Sequence, residues 1–143
     1  SFLPQEHYFA ALRECDFVLS PPGWCMPVSH NLIETMFCGA IPITNAGAVM
    51  VPALKNGSNC LEFSDEQDFV PTIEKVLAMS DKQIEGMRAG VADYYERFLD
   101  PMAFAQLLGQ GGYERILLNA EERSVSWGRE FQKSVGAFMA QYC

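Results

Sequence analysis

The sequence predicts an α/β domain with a short parallel sheet: a partial Rossmann-like arrangement whose C-terminal third is helical. Three observations lead there. Residues 16–45, DFVLSPPGWCMPVSHNLIETMFCGAIPITN, read as strand, glycine-bearing loop, helix, tight turn and strand, which is a βαβ unit. One further stretch, 59–63, has strand character, giving about three strands where a complete Rossmann-like half has about six. From residue 68 onward, apolar residues recur at helical spacing.

Each element has a local cause. Residues 4–15 read as a helix with Phe9 and Leu12 on its buried side. Residues 16–20 are an apolar run ending in turn residues, the pattern of a buried parallel strand. Pro21-Pro22-Gly23 ends that strand and opens a loop reaching Val28. Ser29 then occupies an N-cap position, and Leu32, Ile33, Met36, Phe37 and Ala40 form an apolar stripe. Gly39 supplies the left-handed residue that ends such a helix. Residues 40–45 form the next strand, with Pro42 near its start, where a missing N–H costs least.

Beyond the βαβ unit, Ala46-Gly47-Ala48 is either a plain connecting loop or a small-residue cover over a ligand at the sheet edge. Residues 51–54 read as a short helical turn, and Asn56-Gly57 as a tight turn before the third strand. Asp68 is the expected cap of a helix carrying Phe69, Ile73, Val76 and Leu77, with Pro71 in its first turn. Ser80 and Gln83 form a capping box for a helix bearing Ile84, Met87, Val91, Tyr95 and Phe98. Asp100-Pro101 opens another, with Phe104, Leu107 and Leu108. Gly109-Gln110-Gly111-Gly112 follows a helix and lacks a P-loop lysine, so it reads as a linker and not a phosphate cradle. The division is therefore 1–108 for the α/β part and 109–143 for a helical extension. In that extension Trp127, Phe131, Val135, Phe138, Met139 and Tyr142 share one face, which packs on this sheet or on a missing half.

Composition bounds the function. At 143 residues and 49% hydrophobic content the chain is one domain's worth with material for a core. A net charge of −8 argues against nucleic acid as a partner. No apolar run reaches transmembrane length, so no membrane segment is expected. Starting at Ser1, already inside a fold, the chain reads as a portion of a larger protein that lacks its first strands. The edge of a truncated sheet makes self-association an expectation. The five cysteines form neither a CxxC nor a Cys/His cluster, so no metal site is expected. Cys15, Cys38 and Cys60 adjoin predicted core elements and are expected to be small buried residues. Their number leaves the compartment open between the cytoplasm and the lumen of the secretory pathway.

The residues that carry chemistry sit at the carboxyl end of the first strand. His30 and Glu34 lie four apart and share a helix flank, beside Ser29 and the free N–H groups of the first turn. A helix start with a hydroxyl and an imidazole suits a phosphate, and a carboxylate one turn deeper suits a pair of sugar hydroxyls. The same spacing also fits a capped helix with an ordinary surface pair. No Lys or Arg occurs between Arg13 and Lys55, so a phosphate here relies on backbone N–H groups and His30, or on a missing half. His7, a lone histidine early in a helix, is expected to be structural.

Pro22-Gly23, Ser29-His30, Glu34, Gly39 and Ile41-Pro42-Ile43 resemble the nucleotide-sugar-binding half of GT-B glycosyltransferases, most closely the exostosin-like branch. The resemblance spans about residues 5–108, and its specific part is 16–45. It implies a GT-B C-terminal half in which the helix start faces a donor diphosphate and the carboxylate binds the nucleotide ribose. Carried over by position, this places Gly23, Ser29, His30 and Glu34 at a nucleotide-sugar donor, with Pro22 or Trp24 lining the base or sugar pocket. His30 departs from the pattern, which has arginine there; imidazole lacks the bidentate fork and full charge of guanidinium. Pro27 stands where many retaining relatives carry a second glutamate, so the likeness favours an inverting transferase. It implies no cofactor, and a catalytic base supplied by a missing N-terminal acceptor domain. The alternative is a non-catalytic, glycosyltransferase-like interaction module whose phosphate-side arginine has been lost.

Overall fold

The computed structural model describes residues 4–22 and 28–112. It is a mixed α/β arrangement around a three-stranded, all-parallel sheet in the order β1-β2-β3. The elements follow as α1 (Gln5–Glu14), β1 (Phe17–Leu19), α2 (His30–Phe37), β2 (Ile41–Thr44), β3 (Leu61–Glu62), α3 (Glu66–Leu77), α4 (Asp81–Tyr94) and α5 (Pro101–Gly109). Gly23, Trp24, Cys25 and Pro27, and the tail with its stripe from Trp127 to Tyr142, lie outside the described residues.

The βαβ unit forms as its pattern requires. Phe17, Val18 and Leu19 pair with Ile41, Pro42 and Ile43, and β2 continues onto β3 through Ile43↔Leu61 and Thr44↔Glu62. Gly39 has φ +77° and closes the helix-to-strand turn, a backbone state that a side chain would strain. All four residues of β2 are buried, so both of its faces are covered. Pro42 nevertheless sits in this central strand. Ile41 N–H donates to Asp16 O and Ile43 O accepts from Ser20 N–H, so the alternating backbone of Pro42 faces β3 instead. β3 begins only opposite Ile43, and the missing donor therefore falls just before that ladder starts.

Helices cover the sheet and complete the core. Leu32 and Met36 of α2, Ile41 and Ile43 of β2, and Met87 and Val91 of α4 belong to one buried cluster. Arg88 of α4 ties back to the entry of β1: Nη2 donates to Cys15 O at 2.7 Å, and Nε lies 3.3 Å from Asp16 Oδ1. Tyr94 is buried and donates its hydroxyl to Pro52 O. The Ser80–Gln83 capping box forms, Gln83 Oε1 accepting the Ser80 N–H at 3.0 Å. Asp100 caps α5 by accepting from Met102 N–H, with Pro101 in the first turn.

Several expectations are corrected. The third strand has only two residues, because Asn59 is consumed by the preceding turn, its Oδ1 accepting from Lys55 N–H at 2.7 Å. Residues 51–54 do not form a helical turn; a short 3₁₀ turn falls earlier, at Gly47–Val49. The cap of α3 is Asp65, whose carboxylate accepts from Gln67 and Asp68 N–H; Asp68 is its third residue and accepts from Ser64 N–H, and Pro71 is its sixth. Leu77, at the last turn of α3, is 81% exposed and not part of the buried stripe. In α4 the buried aromatic is Tyr94, not Tyr95. A wider π turn over Tyr95–Leu99, in which Asp100 N–H donates to Tyr95 O, shifts the helical phase and leaves Phe98 exposed. Phe104 is also exposed, as are Phe37 at the end of α2 and Leu19 in β1, which is an edge strand of the sheet and not a buried one. Of the three described cysteines only Cys60 is fully buried, Cys38 is partly so, and Cys15 is exposed at the end of α1.

The two aspartates before α3 can be separated by mutation. Asp65→Ala should cost about 1 kcal/mol in chemical denaturation, the usual loss for an N-cap carboxylate. Asp68→Ala should cost less, since it removes bonds only to Ser64, outside the helix. Equal losses would contradict the assignment of Asp65 as the cap.

Candidate functional site

The carboxyl ends of β1 and β2 and the start of α2 converge on one edge of the sheet, because parallel strands joined by a helix present their ends on the same side. Under this edge lies a buried hydroxyl pair. Ser20, just after β1, and Thr35, one turn into the buried side of α2, have their oxygens 3.1 Å apart. Ser20 Oγ also reaches Val18 O at 3.3 Å. The pair pins the strand end to the helix and fixes the span that the 20–28 loop must cross.

Ser29 holds the N-cap position with extended backbone (φ −87°, ψ 151°), but its hydroxyl does not cap the helix. It donates to Pro21 O at 3.1 Å, clasping the two ends of the loop together. The N–H groups of His30 and Asn31 receive no bond from the cap side chain and point to the positive end of the helix dipole, whereas Leu32 N–H bonds Ser29 O at 3.1 Å. His30 is the first helical residue and is exposed, as is Pro22. Gly23 and Trp24 lie outside the described residues.

Glu34 is half-buried, and its charge acts on Tyr8 of α1. The two helices touch through side chains: Tyr8 meets Asn31, while Phe9 meets Phe37 and Cys38. Tyr8 donates its hydroxyl to Asn31 Oδ1 at 2.9 Å. Partial burial, then the charge of Glu34, raise the Tyr8 phenol above its ordinary value. The Cys38 thiol at the same seam is also raised, by burial foremost; Arg13 opposes this and Glu34 adds to it. Burial pushes Cys60 up to about 12, with Glu62 contributing, so that thiol serves packing and not nucleophilic chemistry.

The structure thus brings Ser29, His30 and Glu34 onto the first turns of one helix, as their spacing predicts, and adds three residues the sequence did not single out. Tyr8 lies 23 positions from its partner, a contact no local pattern carries. Asn31 adjoins His30 and was visible only as a polar residue in the first turn. Thr35 was legible as a polar residue on the apolar side of α2, with Ser20 at the strand end as its one candidate partner.

Elsewhere, a cleft of about 210 Å³ between β3 and α3 is lined by Asn56, Glu62, Asp68, Thr72 and Lys75 among others, and includes none of the predicted site residues. Among the described residues no group of three His, Cys, Asp or Glu side chains is placed to hold a metal ion. Among them, too, no helix is long and apolar enough to cross a membrane. No protein-family model and no curated protein matches the chain.

Proposed function

We propose that the protein supplies the nucleotide end of the donor site in a GT-B sugar transferase of exostosin type, one that moves a glycosyl group from a nucleoside diphosphate to an acceptor hydroxyl with inversion. The observation that best supports this reading is the position of Ser29, His30 and Glu34. They occupy the first turns of α2, at the edge where parallel strands present their carboxyl ends. The uncapped N–H groups of α2 and the imidazole of His30 receive the diphosphate, and the carboxylate of Glu34 receives the ribose hydroxyls. The resemblance assigns the base or sugar pocket to Pro22 or Trp24. The acceptor and the catalytic base belong to a second domain.

The rival reading, a glycosyltransferase-like interaction module, draws on the absence of any Lys or Arg between residues 13 and 55. Nucleotide binding separates the two. Uridine, guanosine, adenosine and cytidine diphosphates are titrated into the protein while its melting temperature is followed. At about 100 times the dissociation constant the true ligand should stabilise the fold by about 2.7 kcal/mol, a shift of several degrees. Glu34→Ala should remove that shift while leaving the ligand-free melting temperature close to wild type. A flat response to all four nucleotides would favour the interaction module.

A further inference from the structure

Three polar side chains meet on the α1–α2 seam: the Tyr8 hydroxyl, the Asn31 amide and the Glu34 carboxylate. Their hydrogen-bonding capacities do not balance. Tyr8 has one proton and faces two acceptors, Asn31 Oδ1 and Glu34. The proton goes to Asn31 at 2.9 Å. The Glu34 carboxylate is then left with spare lone pairs in a half-buried position. With its oxygen held by Tyr8, Asn31 keeps its NH₂ group as a spare donor, and the phenol oxygen keeps an acceptor site.

We propose that Tyr8, Asn31 and Glu34 act together as a recognition site for a vicinal diol, so that α1 as well as α2 reads the ribose of the nucleotide. This rests on the donor-site reading above and extends it to two residues and a second helix. Two adjacent hydroxyls both donate and accept, which matches a cluster offering carboxylate and phenol oxygens beside an amide donor. An anion does not match it. A phosphate has only acceptors to offer and would face the charge of Glu34, so it is directed one turn away, to the end of the helix, toward His30 and the N–H groups of His30 and Asn31. The raised phenol of Tyr8 keeps its proton at neutral pH, so the bond that orients Asn31 persists there.

The test uses uridine and guanosine diphosphates alongside their 2′,3′-dideoxy counterparts, in calorimetric titrations of wild type, Tyr8→Phe and Asn31→Ala. Wild type should prefer the ribonucleotide by about tenfold or more, as expected from losing hydrogen bonds to a carboxylate. Tyr8→Phe, which keeps the ring, and Asn31→Ala should each cut that preference by about fivefold, with dideoxynucleotide affinity unchanged. Unfolding curves matching wild type would show that neither variant acts through the fold. Ribo- and dideoxynucleotides binding wild type equally would overturn this proposal alone, as would a preference that survives in Tyr8→Phe. Absence of binding by these four compounds and by adenosine and cytidine diphosphates would overturn the donor-site reading and this proposal together.

Discussion

Replacing Gly90 with alanine should destabilise the protein by about 1–3 kcal/mol, even though alanine is the better helix former by about 1 kcal/mol. Gly90 lies in the third turn of α4, where the helix crosses the turn that precedes β3. A methyl group there would collide with the backbone oxygen of Ser58, with the Ser58 carbonyl carbon 3.2 Å away. That turn cannot yield easily. Ser58 and Asn59 N–H both bond Lys55 O, and Asn59 Oδ1 bonds Lys55 N–H. Gly86, one turn earlier in the same helix, has nothing within 4 Å of its would-be methyl group. Gly86→Ala should therefore stabilise by about 0.5–1 kcal/mol. The pair, measured by urea denaturation, tests the docking of α4 with intrinsic propensity held constant. Shifts of the same sign would show that α4 does not pack against the Ser58 turn.

The second large effect concerns the hydroxyls under the candidate site. Thr35→Val keeps the shape of the side chain but removes one of the two partners of the buried Ser20 Oγ, leaving only its longer bond to Val18 O. The expected cost is about 0.5–1.5 kcal/mol, the net worth of one hydrogen bond. Ser20→Ala should cost a similar amount. The double variant should lose clearly less than the sum, since removing both partners removes the desolvation penalty as well. Additive losses would mean that the two hydroxyls do not depend on each other. If Glu34 and the first turn of α2 bind a ligand, Thr35→Val should also weaken it, because the same pair anchors that turn to β1.

The βαβ unit was legible because its signals are local. An apolar run meeting Pro-Pro, a stripe at helical spacing and a glycine before Ile-Pro-Ile each act within a few residues, and the elements they specify form, although Leu19 of β1 and Phe37 of α2 end up exposed. The misreadings arose where two local solutions compete. Asp65 and Asp68 are both competent caps, and reading Pro71 as a first-turn residue selected the later one. The structure starts α3 earlier and tolerates the proline at its sixth position. Tyr95 and Phe98 extend the α4 stripe on paper, but the π turn changes the angle per residue, so Tyr94 takes the inner position. For the site, the residues on α2 were readable from spacing, whereas Tyr8 was not. Its contact with Asn31 depends on how two helices are brought together, which neither helix specifies by itself.

The hold of Arg88 on Cys15 and Asp16 has a bearing on how the chain can be divided. Residues 73 apart are fastened together at the entry of β1, and Met87 and Val91 fill the same core as Leu32 and Ile41. The segment that carries every candidate ligand contact is therefore not a self-sufficient folding unit. Expressed without α4, residues 4–63 would present a bare apolar sheet to solvent and collapse or aggregate before any nucleotide could be offered to them. A lesion in α4, far from the ligand in sequence, would register as lost binding by melting the platform underneath. Transplanting the site into another scaffold would mean carrying both ends of this clamp.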